Sequence, residues 1–309
     1  VPALIIYCLN CKRLTTILTQ PQSNLRLYMA MIFAMLIWGL SWSNAKIAGQ
    51  YADPQLLMFW RFTFASLTMI PTMLFLGIKP TFKQKAIPLL LVAAIFMVLY
   101  NYMYFKGTKI GQAGLGGVIT TSLNPVITTI LVVLLFKHTI QQKEIVGILM
   151  GIFGGLILIK IWSVDIYQLF NSGNIYFVFG AVLWAIVTLI TQKAKSDMNV
   201  VTFSFWMYAI SIVIAYPFAA EYSILSVFSF DWIFWINFLS LSIGSLAFAT
   251  SIYFFAAMEL GSQKASSFTF MVPAAAMIFA MIILGEKLEL TTLIGGGMAI
   301  SAVYLINRK

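Results

Sequence analysis

Residues 112–136 read QAGLGGVITTSLNPVITTILVVLLF, and residues 263–284 read QKASSFTFMVPAAAMIFAMIIL. Each is an apolar stretch near the length that crosses a bilayer as a helix, about 20 residues. Each also carries a proline close to its centre, Pro125 in the first and Pro273 in the second. A proline inside a helix removes a backbone donor and clashes with the carbonyl four residues earlier. Those carbonyls belong to Thr121 and Thr269, so both stretches free the same group at matching positions. In lipid a freed carbonyl must be met by a side chain, a water or a ligand. Two readings follow. Either the threonine hydroxyls close the kinks, or the kinks line a cavity with Asn124 beside the first and Ser266 and Ser267 beside the second.

The rest of the chain agrees with a lipid solvent. Of 309 residues, 61% are hydrophobic and 9% charged, against roughly 25% charged in soluble domains, and the mean hydropathy is +0.95. The formal charge of +10 does not indicate nucleic acid, because Lys and Arg stand at the ends of apolar runs, as in membrane-protein loops. The charges divide the sequence into ten predicted helices, at 28–48, 54–76, 86–105, 112–136, 144–162, 172–192, 199–219, 231–257, 263–284 and 289–307. The fifth is the shortest apolar run, bounded by Glu144 and Lys160, and Lys160 can reach the surface by snorkelling. Lipid excludes open sheets, which leaves an all-α integral membrane bundle.

Basic residues are unequally shared between the two sides. Thirteen of the nineteen, from Lys12 through Lys79, Lys193 and Lys264 to Lys309, fall on one side, and the other side holds Lys46, Arg61, Lys106, Lys109, Lys160 and Lys287. The excess places both termini in the cytoplasm of a cell whose inner membrane the protein spans.

The chain also repeats itself. Trp38 matches Trp184, and Phe59–Trp60 matches Phe205–Trp206, at an offset of 146, while Pro125 matches Pro273 and Gly147 matches Gly295 at 148. Two five-helix repeats, 28–163 and 164–309, account for both offsets. Five is odd, so the second repeat enters the membrane from the opposite face, which predicts an inverted repeat.

The candidate substrate-binding residues follow from polarity at membrane depth. Trp38 and Trp184 lie near the centres of their helices, away from the headgroup level where tryptophans collect. They either pack between helices or face an aqueous cavity through the indole N–H. Ser41, Trp42 and Asn44 continue the polar-aromatic part of the first helix, and Trp42 shares the face of Trp38. Tyr104 adds a phenol from the third helix, and Thr121, Asn124 and Thr269 come from the kinked pair. Arg61 is the basic residue deepest in a span: it is a functional group by default, or it snorkels to the outer headgroups. Trp60, Trp162, Trp206 and Trp232 are expected at the interfaces. Gly147, Gly151 and Gly155, and Gly295–Gly297 with Ser301, form small-residue packing faces.

No catalytic, metal or cofactor constellation is present. The single histidine, His138, stands at a helix end, and all nine acids fall at helix ends or in loops. Cys8 and Cys11 form an isolated C-x-x-C with too few companions for a zinc site. They belong to a lead segment, residues 1–27, too short in its apolar part to span and with Lys12–Arg13 following that part, unlike a signal peptide. Gln20–Asn24 reads as a polar linker, and Met29 or Met31 as a natural start.

The stretch Trp38–Gly39, Lys46, Asp53–Pro54, Arg61–Phe62 and Ala65 resembles the opening of an EamA-type repeat of the drug/metabolite transporter superfamily. The segment Gly261, Ala265, Pro273, Gly285–Glu286 and Gly295 is similar to the close of the second repeat. The resemblance covers about residues 29–307 and implies ten helices in two inverted repeats around a central cavity, lined by the first, third and fourth helices of each repeat. It also implies alternating access for small organic solutes. His138 replaces a glutamate that commonly ends the fourth helix, and Met207 stands where the second helix has Arg61. A channel or facilitator fits the hydropathy equally; saturable flux with counter-transport separates a carrier from it. The expected partners are the lipid bilayer, a small-molecule substrate and, as a further option, a second copy of the chain. Aromatic faces with neutral hydrogen-bonding groups suggest an amino-acid-sized solute that is net neutral or zwitterionic.

Overall fold

The computed structural model describes residues 22–81, 83–111, 113–136, 139–158, 160–163, 173–284 and 290–308. The readings placed on Cys8, Cys11, His138, Gly285 and Glu286 lie outside the described residues. What is described is helical throughout: α1 (Gln22–Tyr51), α2 (Pro54–Leu76), α3 (Ile87–Ile110), α4 (Ala113–Phe136), α5 (Gln142–Leu158), α6 (Asn174–Ala194) and α7 (Val200–Ala219). Then come α8 (Trp232–Leu239), a π-helical segment (Ser240–Ala249), α9 (Thr250–Leu260), α10 (Ser262–Ser267), a 3₁₀ turn (Phe268–Phe270), α11 (Met271–Leu284) and α12 (Leu290–Asn307).

Seven of the helical stretches among the described residues are long and apolar enough to cross a membrane, the last being continuous from Trp232 to Leu260. Large apolar side chains such as Leu74, Phe75, Leu134 and Leu135 are exposed along them. In water such a surface would aggregate; in lipid it is the solvated face. This is an all-α, multi-span membrane fold.

Local sequence explains most boundaries. Pro54 opens α2 behind Asp53, and Gly77 closes it in the left-handed conformation, donating to the carbonyls of Leu74 and Met73. The side chains of Asn199 and Asp231 cap α7 and α8 by accepting from the backbone N–H groups of Thr202 and Phe234. Three boundaries differ from expectation by more than three residues. α5 ends at Leu158, four short of 162, and Lys160 stands beyond it in the left-handed conformation. The run Gln20–Asn24 is not wholly linker, because α1 already begins at Gln22, and α3 continues five residues past 105 to Ile110. From Gln22 to Tyr51 α1 contains no proline, and the single Gly107 in α3 costs a helix too little to end it.

Helix packing sets up the centre of the molecule. α5 lies along α12, α2 along α7, and α6 against both α3 and α4; α1 packs on α11 and on the π-helical segment. The α5–α12 contact is close because it has no side chain at its narrowest point: a Cβ on Gly154 would sit 2.9 Å from the Gly295 carbonyl oxygen. That is the small-residue approach expected from the glycine pattern. Gly297 is an exception, with no atoms near its face.

Candidate functional site

The two proline breaks meet at the middle of the bundle, and they are handled differently. α4 keeps α-helical geometry through Pro125. Ahead of Pro273 the chain tightens into the 3₁₀ turn Phe268–Phe270, which shifts hydrogen bonding to a shorter register where the proline offers no donor. The Thr121 carbonyl freed by Pro125 accepts from Thr269 Oγ1 at 2.8 Å. The same hydroxyl lies 2.8 Å from the Ser266 carbonyl, so its one proton is shared between its own helix and the other break. Thr121 Oγ1 turns back to the Gly117 carbonyl at 2.6 Å.

Beside this crossing is a small cavity. Its wall includes Trp38, Trp42, Arg61, Tyr104, Thr121, Asn124, Trp184 and Thr269, eight of the nine substrate-binding candidates read from the sequence. Asn44 stands apart: its amide donates to Ser240 Oγ at 2.8 Å and it is not part of the wall. Ser266 and Ser267 are also absent from it, with hydroxyls donating to the carbonyls of Gln263 and Lys264.

Trp38 and Trp184 touch each other edge to face, with ring centroids 5.1 Å apart. Tyr253 lies 5.0 Å from Trp38, and Tyr100 lies 4.7 Å from Trp184. Both readings offered for the central tryptophans therefore hold together: they pack between helices and they border the cavity. The indole N–H of Trp38 donates to the Ser245 carbonyl at 3.4 Å. That carbonyl also accepts from Thr250 Oγ1 at 3.0 Å, five residues on, in the wide register of the π-helix. Such π segments occur often at functional sites. Tyr104 is fixed by donating to the Ser41 carbonyl at 2.8 Å.

Arg61 does not snorkel. It is only 4% exposed, and its guanidinium turns into the bundle. Nη1 donates to Asn101 Oδ1 at 2.9 Å, Nε to the Leu241 carbonyl at 3.3 Å and Nη2 to Ser245 Oγ at 3.3 Å. Its carbon lies 5.1 Å from the Tyr104 ring centre and 5.5 Å from that of Phe105. Asn101 is held in the right orientation because its amide nitrogen is engaged by the Met97 carbonyl. The unwound carbonyls and rings inside the bundle outcompete the outer headgroups for this side chain.

Asn124 is the opposite case. It is 1% exposed, and neither its amide nitrogen nor its amide oxygen has a hydrogen-bond partner. A buried amide left unpaired is costly unless a ligand or water uses it.

Sequence reading missed Tyr100, Thr120, Ser245, Leu246 and Thr250 in the wall. The repeat offset carried the needed signal for one of them, Thr250, the mate of Tyr104. The step of 146 that links Trp38 to Trp184 also carries Tyr100 onto Leu246 and Tyr104 onto Thr250.

The open volume within the cavity is about 30 Å³, room for about one water, whereas pockets that enclose drug-sized ligands measure roughly 300–1,000 Å³. Toward both ends of the bundle, polar contacts cross-link the helices. Toward the end carrying Lys46, Lys109 pairs with Asp53 at 2.7 Å, Lys46 donates to the Gly111 carbonyl at 2.9 Å, and Tyr51 donates to Asp231 at 2.9 Å. Toward the other end, the Ser262 backbone N–H donates to Gln192 Oε1 at 2.8 Å, Lys195 pairs with Glu259 at 2.9 Å, and Lys85 pairs with Asp197 at 2.9 Å. Trp60 and Trp206, repeat mates at opposite ends, each donate an indole N–H to a loop carbonyl, of Ile224 and Pro80 respectively.

Comparison with known proteins places this architecture. A sequence profile of the EamA-like transporter family matches the chain twice, over residues 25–160 and 171–308. The uncharacterized transporter YyaM of Bacillus subtilis is 25% identical over 292 residues, covering 91% of this chain and 93% of its own. An uncharacterized transporter of Archaeoglobus fulgidus is 25% identical over 293 residues, covering 93% and 99%. A shorter match, 27% identical over 166 residues and about half of each chain, is to an S-adenosylmethionine uptake transporter of Rickettsia bellii. A solved crystal structure shares the fold at a TM-score of 0.73 and 16% identity, covering 91% of this chain and 96% of that one.

Proposed function

The chain belongs to the EamA-like transporter family, and on that premise we propose that it is a secondary transporter of amino-acid-sized, net-neutral or zwitterionic metabolites. Membership makes it a multi-pass membrane transporter of small molecules, not an enzyme. The observation that carries the finer reading is the cavity at the crossed helix breaks. Its wall joins the aromatic faces of Trp38, Trp42, Tyr104 and Trp184 to the neutral polar groups of Thr121, Asn124 and Thr269, with Arg61 as the one charge among its described residues. Aromatic faces hold an apolar body, and the polar groups fix its orientation. A single cation matches a carboxylate better than a doubly charged phosphate. The S-adenosylmethionine uptake transporter among the relatives likewise handles a small organic metabolite.

The reading includes ten spans in two inverted five-helix repeats, in the cytoplasmic membrane with both termini inside. The packing pattern supports this: exchanging each helix for its repeat mate converts the α3–α6 contact into that of the π-helical segment with α1, and the α4–α6 contact into α11–α1. Pro71 in α2 and Pro217 in α7 also stand 146 residues apart. A cavity too small for its solute, with polar cross-links between helices toward both ends, supports alternating access, in which one end opens at a time.

A metabolite screen of cells with and without the protein, followed by uptake into proteoliposomes, tests the proposal. Saturable uptake of an amino-acid-sized solute, accelerated by the same solute loaded inside, is the expected result. Non-saturating flux without counter-transport would indicate a channel and overturn it.

A further inference from the structure

Arg61 is a buried cation whose partners are all neutral. Among the described residues no carboxylate pairs with it; its three hydrogen bonds go to an amide oxygen, a backbone carbonyl and a hydroxyl, and two of the three are 3.3 Å long. The rings of Tyr104 and Phe105 offer their faces, which attract a cation without neutralising it. A charge taken out of water in this way is compensated only weakly. A guanidinium also has five N–H groups in a planar fork, so two remain beyond those three bonds.

The cavity supplies the place for the missing anion. Arg61 is part of its wall, and so is Asn124, whose amide nitrogen and oxygen are both without partners at 1% exposure. Together with the indole N–H of Trp184, which is also buried without a partner, these are the features of the wall that folding leaves incomplete. The fork of a guanidinium matches a carboxylate bidentately, and the free amide donor can take a further lone pair. The amide oxygen can accept from an ammonium or hydroxyl on the same molecule. Among the described residues the remaining wall is aromatic rings, hydroxyls and Leu246, with no acid to balance a second positive charge.

Resting on the transport reading above, we infer that Arg61 is the residue that recognises a carboxylate on the transported solute. The substrate class is then narrower than net-neutral metabolites. It consists of zwitterions that carry one carboxylate and one amine, amino acids foremost, and it excludes amides, sugars and lipophilic cations. Arg61 sits at the junction of α2, α3 and the π-helical segment, so the bound carboxylate also reports directly to three elements that must shift for access to alternate.

The test uses the purified full-length protein in detergent and follows ligand-induced thermal stabilisation. The probes are L-threonine, L-leucine and L-phenylalanine, each beside its carboxamide, with glycerol 3-phosphate as the phosphate control. At least one acid should bind about tenfold or more tighter than its amide. In Arg61→Gln the acid and the amide should become equal, and Arg61→Lys should keep the preference for the acid with weaker binding. The acid–amide comparison on the unmodified protein needs no variant to fold. Equal binding of acid and amide there would overturn the role of Arg61 while leaving transport of amino-acid-sized solutes standing. Binding of glycerol 3-phosphate in preference to every acid, or of none of the probes, would overturn both.

Discussion

Thr269 Oγ1 lies 2.8 Å from the carbonyl oxygen of Thr121, so a side chain beside one proline break satisfies the backbone group freed by the other. The two residues are 148 positions apart and occupy matching places in the two halves of the sequence. The bond therefore ties the two halves of the sequence together at their helix breaks. Replacing Thr269 with Val keeps the shape and removes the hydroxyl. The cost expected is about 1–2 kcal/mol, since a buried carbonyl loses its partner, and it should appear as a lower unfolding temperature in detergent. Thr269→Ser should restore it. Equal stability of the Val variant and the parent protein would count against this role.

Asn124 should behave in the opposite way. Its amide is buried without partners, so Asn124→Ala removes a polar group that the fold does not use. Stability should stay level or rise by up to about 1 kcal/mol, while uptake into proteoliposomes falls about tenfold or more. A variant that loses stability and transport in parallel would make Asn124 a structural residue.

The clasp between Lys109 and Asp53 is half-exposed, with the two side chains 36% and 45% accessible. Such a pair contributes roughly 0–1 kcal/mol, so it can open without threatening the fold. Asp53→Asn should leave the unfolding temperature nearly unchanged and raise access to the cavity from that end. In a background with Cys8 and Cys11 changed to Ser, a cysteine at Ser41 should react faster with a membrane-impermeant maleimide once Asp53 is neutralised. An unchanged rate would show that this pair does not restrain opening.

At the other end, the hydrogen bond and charge of Lys85 hold the Asp197 carboxyl below its ordinary value, with Lys83 adding to the effect. A carboxyl depressed in the folded state contributes stability above its unfolded pKa, near 3.8. That contribution is lost as pH falls through the folded value. The difference in unfolding temperature between the parent protein and Asp197→Asn should be constant above about pH 5 and shrink on further acidification. A difference that grows on acidification would reverse the assignment.

Topology gives the fifth prediction. Reporter fusions after Ser196 and after Glu221 should report the cytoplasm and the exterior respectively, given the excess of Lys and Arg on the first side. The opposite pair of signals, or the same signal from both, would invalidate the orientation.

What the sequence determined by itself is whatever depends on neighbours along the chain. Apolar runs of bilayer length identify the solvent and the helices, because the transfer of each residue into lipid is a local property. The geometry of proline names the carbonyls of Thr121 and Thr269 in advance, since the ring clashes four residues back in any helix. Recurrence of Trp, Pro and Gly at offsets of 146 and 148 marks matched positions that the fold brings together as Trp38 on Trp184 and Thr269 on Thr121. Tertiary structure decided the rest, because each remaining question was a competition between distant partners. Arg61 could reach outward or inward with the same covalent length; it turns inward because Asn101, Leu241 and Ser245 present acceptors there. Asn44 has the polarity of a cavity residue, yet Ser240 captures its amide. The π-helical register of Ser240–Ala249 leaves no trace in hydropathy, because a wider turn changes which carbonyls are free and not which residues are apolar.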